Sequence, residues 1–428
     1  MKLKQLACSV LAATMAAGAA HAAKTTINGG GSSLAAPTYF LEFSKYTKAT
    51  PSILFSYEAV GSGGGQTAFL NNDITQFQNV PAGTLTYGTI VGTTVDFGAS
   101  DAYLVASQLT NPATGSYGLS AQDGPVIQFP TFGTPITMAY NESQQSGTLT
   151  LTDNQVCGIL SGQITDWNTI NPSIPAGTTI NVVVRADGSG TTFLLTQHLN
   201  VACNAGNSSF PSYPVPVTKY FYNSSTKASN YIFNTLPGNF TGESGSANVA
   251  AQELATSDSF GYLSPDYTSI APNSANTNSL AVASLVNATN GVAYSPTVAN
   301  TETGLAHPGN GSVNFAPPAS KTEAMNPLNW VPQIPQTKTG YPIVGYTTML
   351  LSSCYASTTA GTALKTLFTD ENTSAGYKAL VMQDGFAPLA NTAASPFVTA
   401  VDNTLLGNKS GYNLNVDNAT TCASYAGR

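Results

Sequence analysis

Along this chain, short apolar runs with strand character give way repeatedly to glycine-containing turns. Each turn is followed by a segment whose apolar residues recur at helical spacing. "TTINGGGSSLAAPTYFLEFSKYTKAT" begins as a strand, turns on three glycines and predicts a helix, with Pro37 in the first turn and Tyr39, Phe40, Phe43 and Tyr46 along one face. "SILFSYEAVGSGGGQTAFLNN" repeats the design, "TTVDFGASDAYLVASQL" gives it a third time and "INVVVRADGSGTTFLLTQHL" a fourth. Strands alternating with helices, with glycines at the strand ends, predict an α/β fold with open sheets. Two stretches break the pattern. Residues 75–92 read as an insertion with the look of a β-hairpin, and 268–338, rich in Asn, Ser and Pro, read as long loops or an irregular insertion rather than a separate domain.

The first 22 residues follow a different rule. Lys2 and Lys4 precede an apolar middle and the small-residue end Ala20-His21-Ala22, the form of a cleaved signal peptide. Cys8 precedes most of the apolar run, so it belongs to this leader and is not a lipidation site. No later stretch is apolar enough to span a membrane, so the mature chain is expected in the periplasm or secreted. The leader's removal leaves Cys157, Cys203, Cys354 and Cys422. An even count in an exported chain points to two disulfides. Three connectivities are possible, and proximity in sequence favours Cys157–Cys203 with Cys354–Cys422. No C-x2-C pair exists and the mature chain keeps only His198 and His307, which argues against a metal site and against any cofactor of that kind.

The 428 residues exceed one compact core and suit two domains. Only 8% of residues are charged, and the net charge is −7, or −9 once Lys2 and Lys4 leave with the leader. There is no basic run, so nucleic acid is not an expected partner. Long-range attraction cannot recruit an anion to so acidic a protein. Any anion site must be built from local dipoles and one or two buried charges.

"RADGSGTTF" (185–193) has the parts of such a site. Gly188 and Gly190 let backbone approach a ligand, and the helix that follows begins with free N–H groups and the positive end of its dipole. Ser189 and Thr191 add hydroxyls, Arg185 adds a fork of donors, and Asp187 stands where it can brace the guanidinium. The competing reading is a capped helix after a turn, with Ser189 or Asp187 as the cap. Ser33 in "NGGGSSLAAP" and Ser62 in "GSGGGQ" open similar choices between ligand donor and helix cap or flexible turn. Asp101 in "VDFGASD" is an N-cap or, beside an anion, an acceptor for a proton that the anion carries. Neither a Walker loop nor a dinucleotide fingerprint is present. In open α/β sheets ligands bind at the carboxyl ends of strands, where these four turns can converge.

In order and wording, "INGGGSSLAAPTYF", "GSGGGQ", "VDFGASD", "RADGSGTTF" and "GYPIVGYTTMLL" resemble the periplasmic phosphate-binding proteins of ABC transporters, the PstS-like family. "TTINGGG" is similar to the DING branch, in which the residue at Thr26 is aspartate. "FPTFGTPITMAYN" (129–141), "ITDWN" (164–168) and "GYLSPDY" (261–267) extend the likeness over most of the mature chain. The resemblance implies a two-lobed periplasmic-binding-protein fold of type II, hinged, with inorganic phosphate in the cleft. It implies donors from Ser33, Leu34, Ser62, Ser189, Gly190 and Thr191, a proton acceptor in Asp101, and Arg185 held by Asp187. The family often has Thr at the Ser33 position and Phe at the Leu34 position; hydroxyl and N–H survive both changes. Lobe one is expected at 24–130 and 342–428, and lobe two at 131–341. Each of the two disulfides would then lie within one lobe. The expected role is a non-enzymatic, monomeric solute-binding component docking to a membrane permease. A secreted scavenging protein and a phosphatase are the alternatives. For the phosphatase, the one histidine near a motif, His198, is expected to be structural.

Overall fold

The computed structural model describes residues 24–109, 122–203, 215–224, 231–271 and 280–428. The proposed leader (1–22) lies outside these, as does part of the 268–338 stretch. In chain order the strands are β1 (Thr25–Gly31), β2 (Ile53–Glu58), β3 (Thr86–Tyr87), β4 (Phe97–Ser100), β5 (Val126–Pro135), β6 (Thr137–Asn141), β7 (Thr150–Leu151), β8 (Asn181–Arg185), β9 (Phe240–Glu243), β10 (Ser259–Leu263), β11 (Ala281–Val282), β12 (Ser284–Val286), β13 (Ala293–Tyr294), β14 (Val344–Ser352) and β15 (Ala387–Pro388). They form a seven-stranded sheet ordered β15-β5-β14-β4-β1-β2-β3, a five-stranded sheet ordered β11-β6-β10-β8-β9, and a small sheet of β13, β12 and β7. The fold is α/β and two-lobed, as expected.

The site-bearing strands are parallel where the sequence alternates strand and helix. β1 pairs in parallel with β2 and β4, and β8 with β9 and β10. Such strands are covered by helices on both faces, which accounts for their unbroken apolar runs. The helix Ala36–Ala49, with Pro37 in its first turn, buries Tyr39, Phe43 and Tyr46. Phe43 stacks on Phe55 of β2 at 4.7 Å and meets Phe97 of β4 edge-on at 5.7 Å. The helix Gly61–Asn71 packs on β1 through glycine, because a Cβ on Gly65 would strike the Cα of Gly31. This close approach brings the helix start down to the strand ends.

The chain leaves the larger sheet after Pro135 and enters the smaller one at Thr137; it returns at Val344. The two crossings lie side by side, with Ile136 N–H donating to Ile343 O at 2.9 Å. The extended run "VIQFPTFGTP" stays in the larger sheet along its whole length, past residue 130. Both disulfides form as proximity suggested, Cys157–Cys203 and Cys354–Cys422.

Two expectations are corrected. Residues 75–92 make no hairpin of their own: Thr86–Tyr87 pairs antiparallel with the open edge of β2, while Ile74–Phe77 is a short turn of helix capped by Asp73. The described part of 268–338 is more than loop. It supplies β11 to β13 and the helix Val298–Ala306, whose Leu305 packs against Gly133, and it buries Trp330. Its polar composition hid short elements that bury a few apolar residues, Leu285, Leu305 and Trp330 among them.

Candidate functional site

Four strand ends and their following helices meet at one place. After β1, Ser32, Ser33 and Leu34 lie buried in the turn before the helix Ala36–Ala49. Ser33 does not cap that helix. Its N-cap position is Ala35, whose N–H donates to Ser32 Oγ at 3.0 Å. Ser62 sits in the first turn of the helix Gly61–Asn71 and is 1% exposed, so "GSGGGQ" is no flexible turn. Asp101 follows β4 directly. It caps no helix; the next one begins only at Ala106. Instead its carboxylate accepts from Ser32 Oγ at 2.8 Å to each oxygen, from Thr347 Oγ1 at 2.7 Å, and from Ser62 Oγ at 3.3 Å. Burial pushes the Asp101 carboxyl above its usual range. The hydroxyls of Thr347, Ser32 and Ser62 and the charge of Arg185 pull it back.

From the smaller sheet, β8 ends at Arg185, 1% exposed. Asp187 grips its guanidinium from one side, Nε to Oδ1 at 2.7 Å and Nη2 to Oδ2 at 2.5 Å. The fork is thereby fixed, and Nη1 is left to Thr191 Oγ1 at 3.4 Å and Ser246 Oγ at 3.2 Å. Ser189 is the N-cap of the helix Gly190–Ala202, its side chain accepting from Thr192 N–H at 3.1 Å. The cap reading is therefore correct for Ser189, and it coexists with the gathering of the whole motif at the site.

The halves touch here. A Cβ on Gly190 would collide with Ser62 Oγ and Asp101 Oδ2, so only glycine lets this helix start approach the carboxylate. A Cβ on Gly61, at φ +80°, would strike Asp187 Oδ2. Gly63 N–H donates to Gly188 O at 2.6 Å, and Lys219 Nζ reaches Gln66 Oε1 at 2.5 Å. Burial lowers the Lys219 ammonium to about 8. Ser33, Ser62, Asp101, Arg185, Asp187, Ser189, Gly190 and Thr191 come together at this junction, while Leu34 follows Ser33 with its side chain in the apolar core. The arrangement offers the fully buried Arg185 guanidinium, the partly buried Lys219 ammonium, the buried Asp101 carboxylate, hydroxyls, and the amide-rich starts of helices on both sides. Such a set can hold a small anion on many donors while presenting one acceptor to it.

Sequence reasoning missed four participants. Ser32 and Thr347 supply hydrogen bonds to Asp101, and the buried Tyr262 hydroxyl accepts from Arg185 N–H at 3.2 Å. Ser246, first residue of the helix Ser246–Ala255, bonds to both Ser33 and Arg185. Its signal was the stretch "FTGESGSANV", a fifth strand–glycine–serine–helix turn, overlooked because β9 has little apolar character. His198, by contrast, is occupied elsewhere, with Nε2 at 3.0 Å from Asp153 Oδ1 and Nδ1 at 3.3 Å from Pro335 O.

Residues 16–310 match the family model of the PBP superfamily domain. Among curated proteins, "Alkaline phosphatase L" of Pseudomonas aeruginosa is 33% identical over 396 residues, covering 92% of this chain and 93% of that one. Among solved structures, a high-affinity periplasmic phosphate-binding protein (PfluDING) bound with phosphate at pH 8.5 has a TM-score of 0.72 at 29% identity, covering 94% of this chain and 99% of that one. A phosphate-binding protein from Stenotrophomonas maltophilia has a TM-score of 0.69 at 26% identity, over 95% and 100%.

Proposed function

The chain belongs to the PBP superfamily, in its PstS-like, DING-type branch of phosphate-binding proteins, and on that premise we propose that it binds inorganic phosphate outside the cytoplasm as the solute-binding component of phosphate uptake. One observation carries the reading: Asp101 and Arg185, from different sheets, are buried at one junction whose other groups are almost all donors. Arg185 pairs with the oxyanion while Asp187 keeps the fork still. Ser33 gives its hydroxyl and N–H, Leu34 its N–H and Ser62 its hydroxyl. Ser189, Gly190 and Thr191 give helix-start N–H groups and hydroxyls. Asp101 accepts the proton that phosphate still carries at neutral pH. Sulfate carries none, so its oxygens would face the carboxylate with no hydrogen between, which disfavours it.

The lobes are taken to divide where the chain changes sheets, at Ile136 and Ile343, with ligand bridging them so that its binding closes the hinge. Neither disulfide crosses that division. The protein acts as a monomer, in the periplasm or released from the cell, and hands phosphate to a membrane permease. Protein purified without added phosphate, then denatured, should release near-stoichiometric inorganic phosphate. Failure to take up phosphate by calorimetry after dialysis would overturn the proposal.

A phosphatase is the second reading, because a relative carries that name. Ser189 Oγ accepts from the Thr192 amide and His198 is engaged with Asp153, so the described residues offer Ser189 no base. Hydrolysis of a chromogenic phosphate ester that disappears in Ser189→Ala would favour the enzyme.

A further inference from the structure

We propose that Ser246 is a positioning residue for the anion: it biases the Ser33 hydroxyl toward donating to the ligand and ties it to Arg185 across the two lobes. This rests on the phosphate-binding reading. Ser246 is 1% exposed and opens a ten-residue helix. Its N–H donates to Ser33 Oγ at 3.1 Å, and the two hydroxyl oxygens also lie 3.1 Å apart.

Either hydroxyl could donate in that pair, and its surroundings favour Ser246. Arg185 Nη1, which can only donate, occupies Ser246 Oγ at 3.2 Å. That contact fills one of the two acceptor positions of Ser246 Oγ and polarises its O–H, which makes Ser246 the better donor of the pair and Ser33 the better acceptor. Ser33 Oγ then accepts twice, from the Ser246 amide and hydroxyl, and its one hydrogen must point elsewhere. An anion site needs a donor there. The opposite polarity would turn an oxygen lone pair toward the ligand.

The same residue couples charge to closure. Gly245, at φ +79°, donates its N–H to Asp187 Oδ1 at 3.2 Å, so the helix start is fastened to the Asp187–Arg185 pair before it reaches Ser33. Ser33 stands on the seven-stranded side and Ser246 follows β9 of the five-stranded side. Losing the Ser246 hydroxyl should loosen the closed form and let Ser33 rotate. The effect belongs in the rate of ligand loss rather than in encounter.

The test is stopped-flow phosphate binding by the full mature chain. Ser246→Ala keeps the amide donor and loses the hydroxyl. Its phosphate dissociation rate should rise about tenfold with association changed less than about twofold, the scale of one hydrogen bond to a charged group. In a Ser33→Ala background the same substitution should cost less than about twofold, because its route through Ser33 is gone. Ser246→Thr, which restores the hydroxyl, should recover most of the parent rate. Equal losses of Ser246→Ala in both backgrounds, or an unchanged dissociation rate in the parent background, would overturn the inference. A parent chain that binds no phosphate would instead overturn the functional reading. If Ser246→Ala fails to fold, the Ser246→Thr and Ser33→Ala rates still decide, since a structural role alone predicts loss in stability without a change in dissociation.

Discussion

Asp101 and Glu42 are both nearly inaccessible carboxyl groups, 2% and 0% exposed, yet the fold surrounds them in opposite ways. Asp101 accepts from three hydroxyls and lies in the field of Arg185. Glu42, on the helix Ala36–Ala49, faces Glu371 on the helix Thr358–Thr373, and none of their four carboxyl oxygens has a hydrogen-bond partner among the described residues. Burial raises Glu42, and the charges of Glu371 and Asp384 raise it further; burial alone lifts Glu371 to about 8. At Asp101 donors oppose burial, while at Glu42 the neighbours reinforce it. Depth does not mark a functional acid. What marks it is a surrounding set of donors that supports the charged form.

The hardest way to break this comparison is to remove the cation that Asp101 and the ligand share. Arg185→Ala leaves the partly buried Asp187 without its partner and takes the one guanidinium from the site. Phosphate affinity should fall by roughly 100-fold or more, the range for truncating a buried charged pair. Calorimetry giving parental affinity would mean the anion binds elsewhere. The next largest effect is on selectivity. In Asp101→Asn an amide replaces the carboxylate and no longer repels a proton-free oxygen. The parent should prefer phosphate over sulfate by roughly 100-fold, and the variant by less than about tenfold. Acid should mimic the substitution. As pH falls through the raised Asp101 value the carboxyl takes up a proton and becomes a donor, so sulfate competes better at low pH. A preference independent of pH would count against Asp101 as the discriminating group.

Most of the lobe architecture was legible because buried parallel strands must be apolar throughout and helices must show their spacing. Arg185, Asp187, Ser189, Ser62 and Asp101 were legible because strand-end turns announce themselves with glycine. What stayed hidden was of two kinds. Thr347 lies in "VGYTTMLLS", an apolar strand on which a hydroxyl looks incidental until Asp101 is placed beside it. Glu42 sits on a helix that reads as an ordinary amphipathic segment, Glu371 lies more than 300 residues further along the chain, and no spacing rule brings residues so distant in sequence together. Trp330 and Leu305 were missed because their segments are short and dominated by polar residues, so their inward direction is set only by tertiary packing.

The acid pair should respond to pH in its own way. An unfolded glutamate titrates near about 4.3, while folded Glu371 does so at about 8. Between those values the unfolded chain binds fewer protons than the folded one, so stability contributed by this group falls as pH rises and levels off above the folded value. Glu371→Gln removes that loss. Its melting temperature should exceed the parent's by a few degrees at pH 8.5, and the gap should shrink or reverse at pH 5. Parallel melting curves across that range would show that the pair carries no proton linkage.

The smallest expected effect sharpens the comparison most finely, because it moves Asp101 one step toward the condition of Glu42. Thr347→Val keeps the shape of the side chain and removes the 2.7 Å donor to Asp101 Oδ1. Ser32 still serves both oxygens, so the carboxylate is weakened rather than abandoned. One lost hydrogen bond costs about 1 kcal/mol, or roughly fivefold in phosphate affinity. Because a donor to the charged form has gone, the Asp101 carboxyl must rise further. The pH at which sulfate begins to compete should therefore move upward, by less than about one unit at that energy. A downward move would mean that Thr347 had been stabilising the protonated acid, and Asp101 would then belong with Glu42 after all.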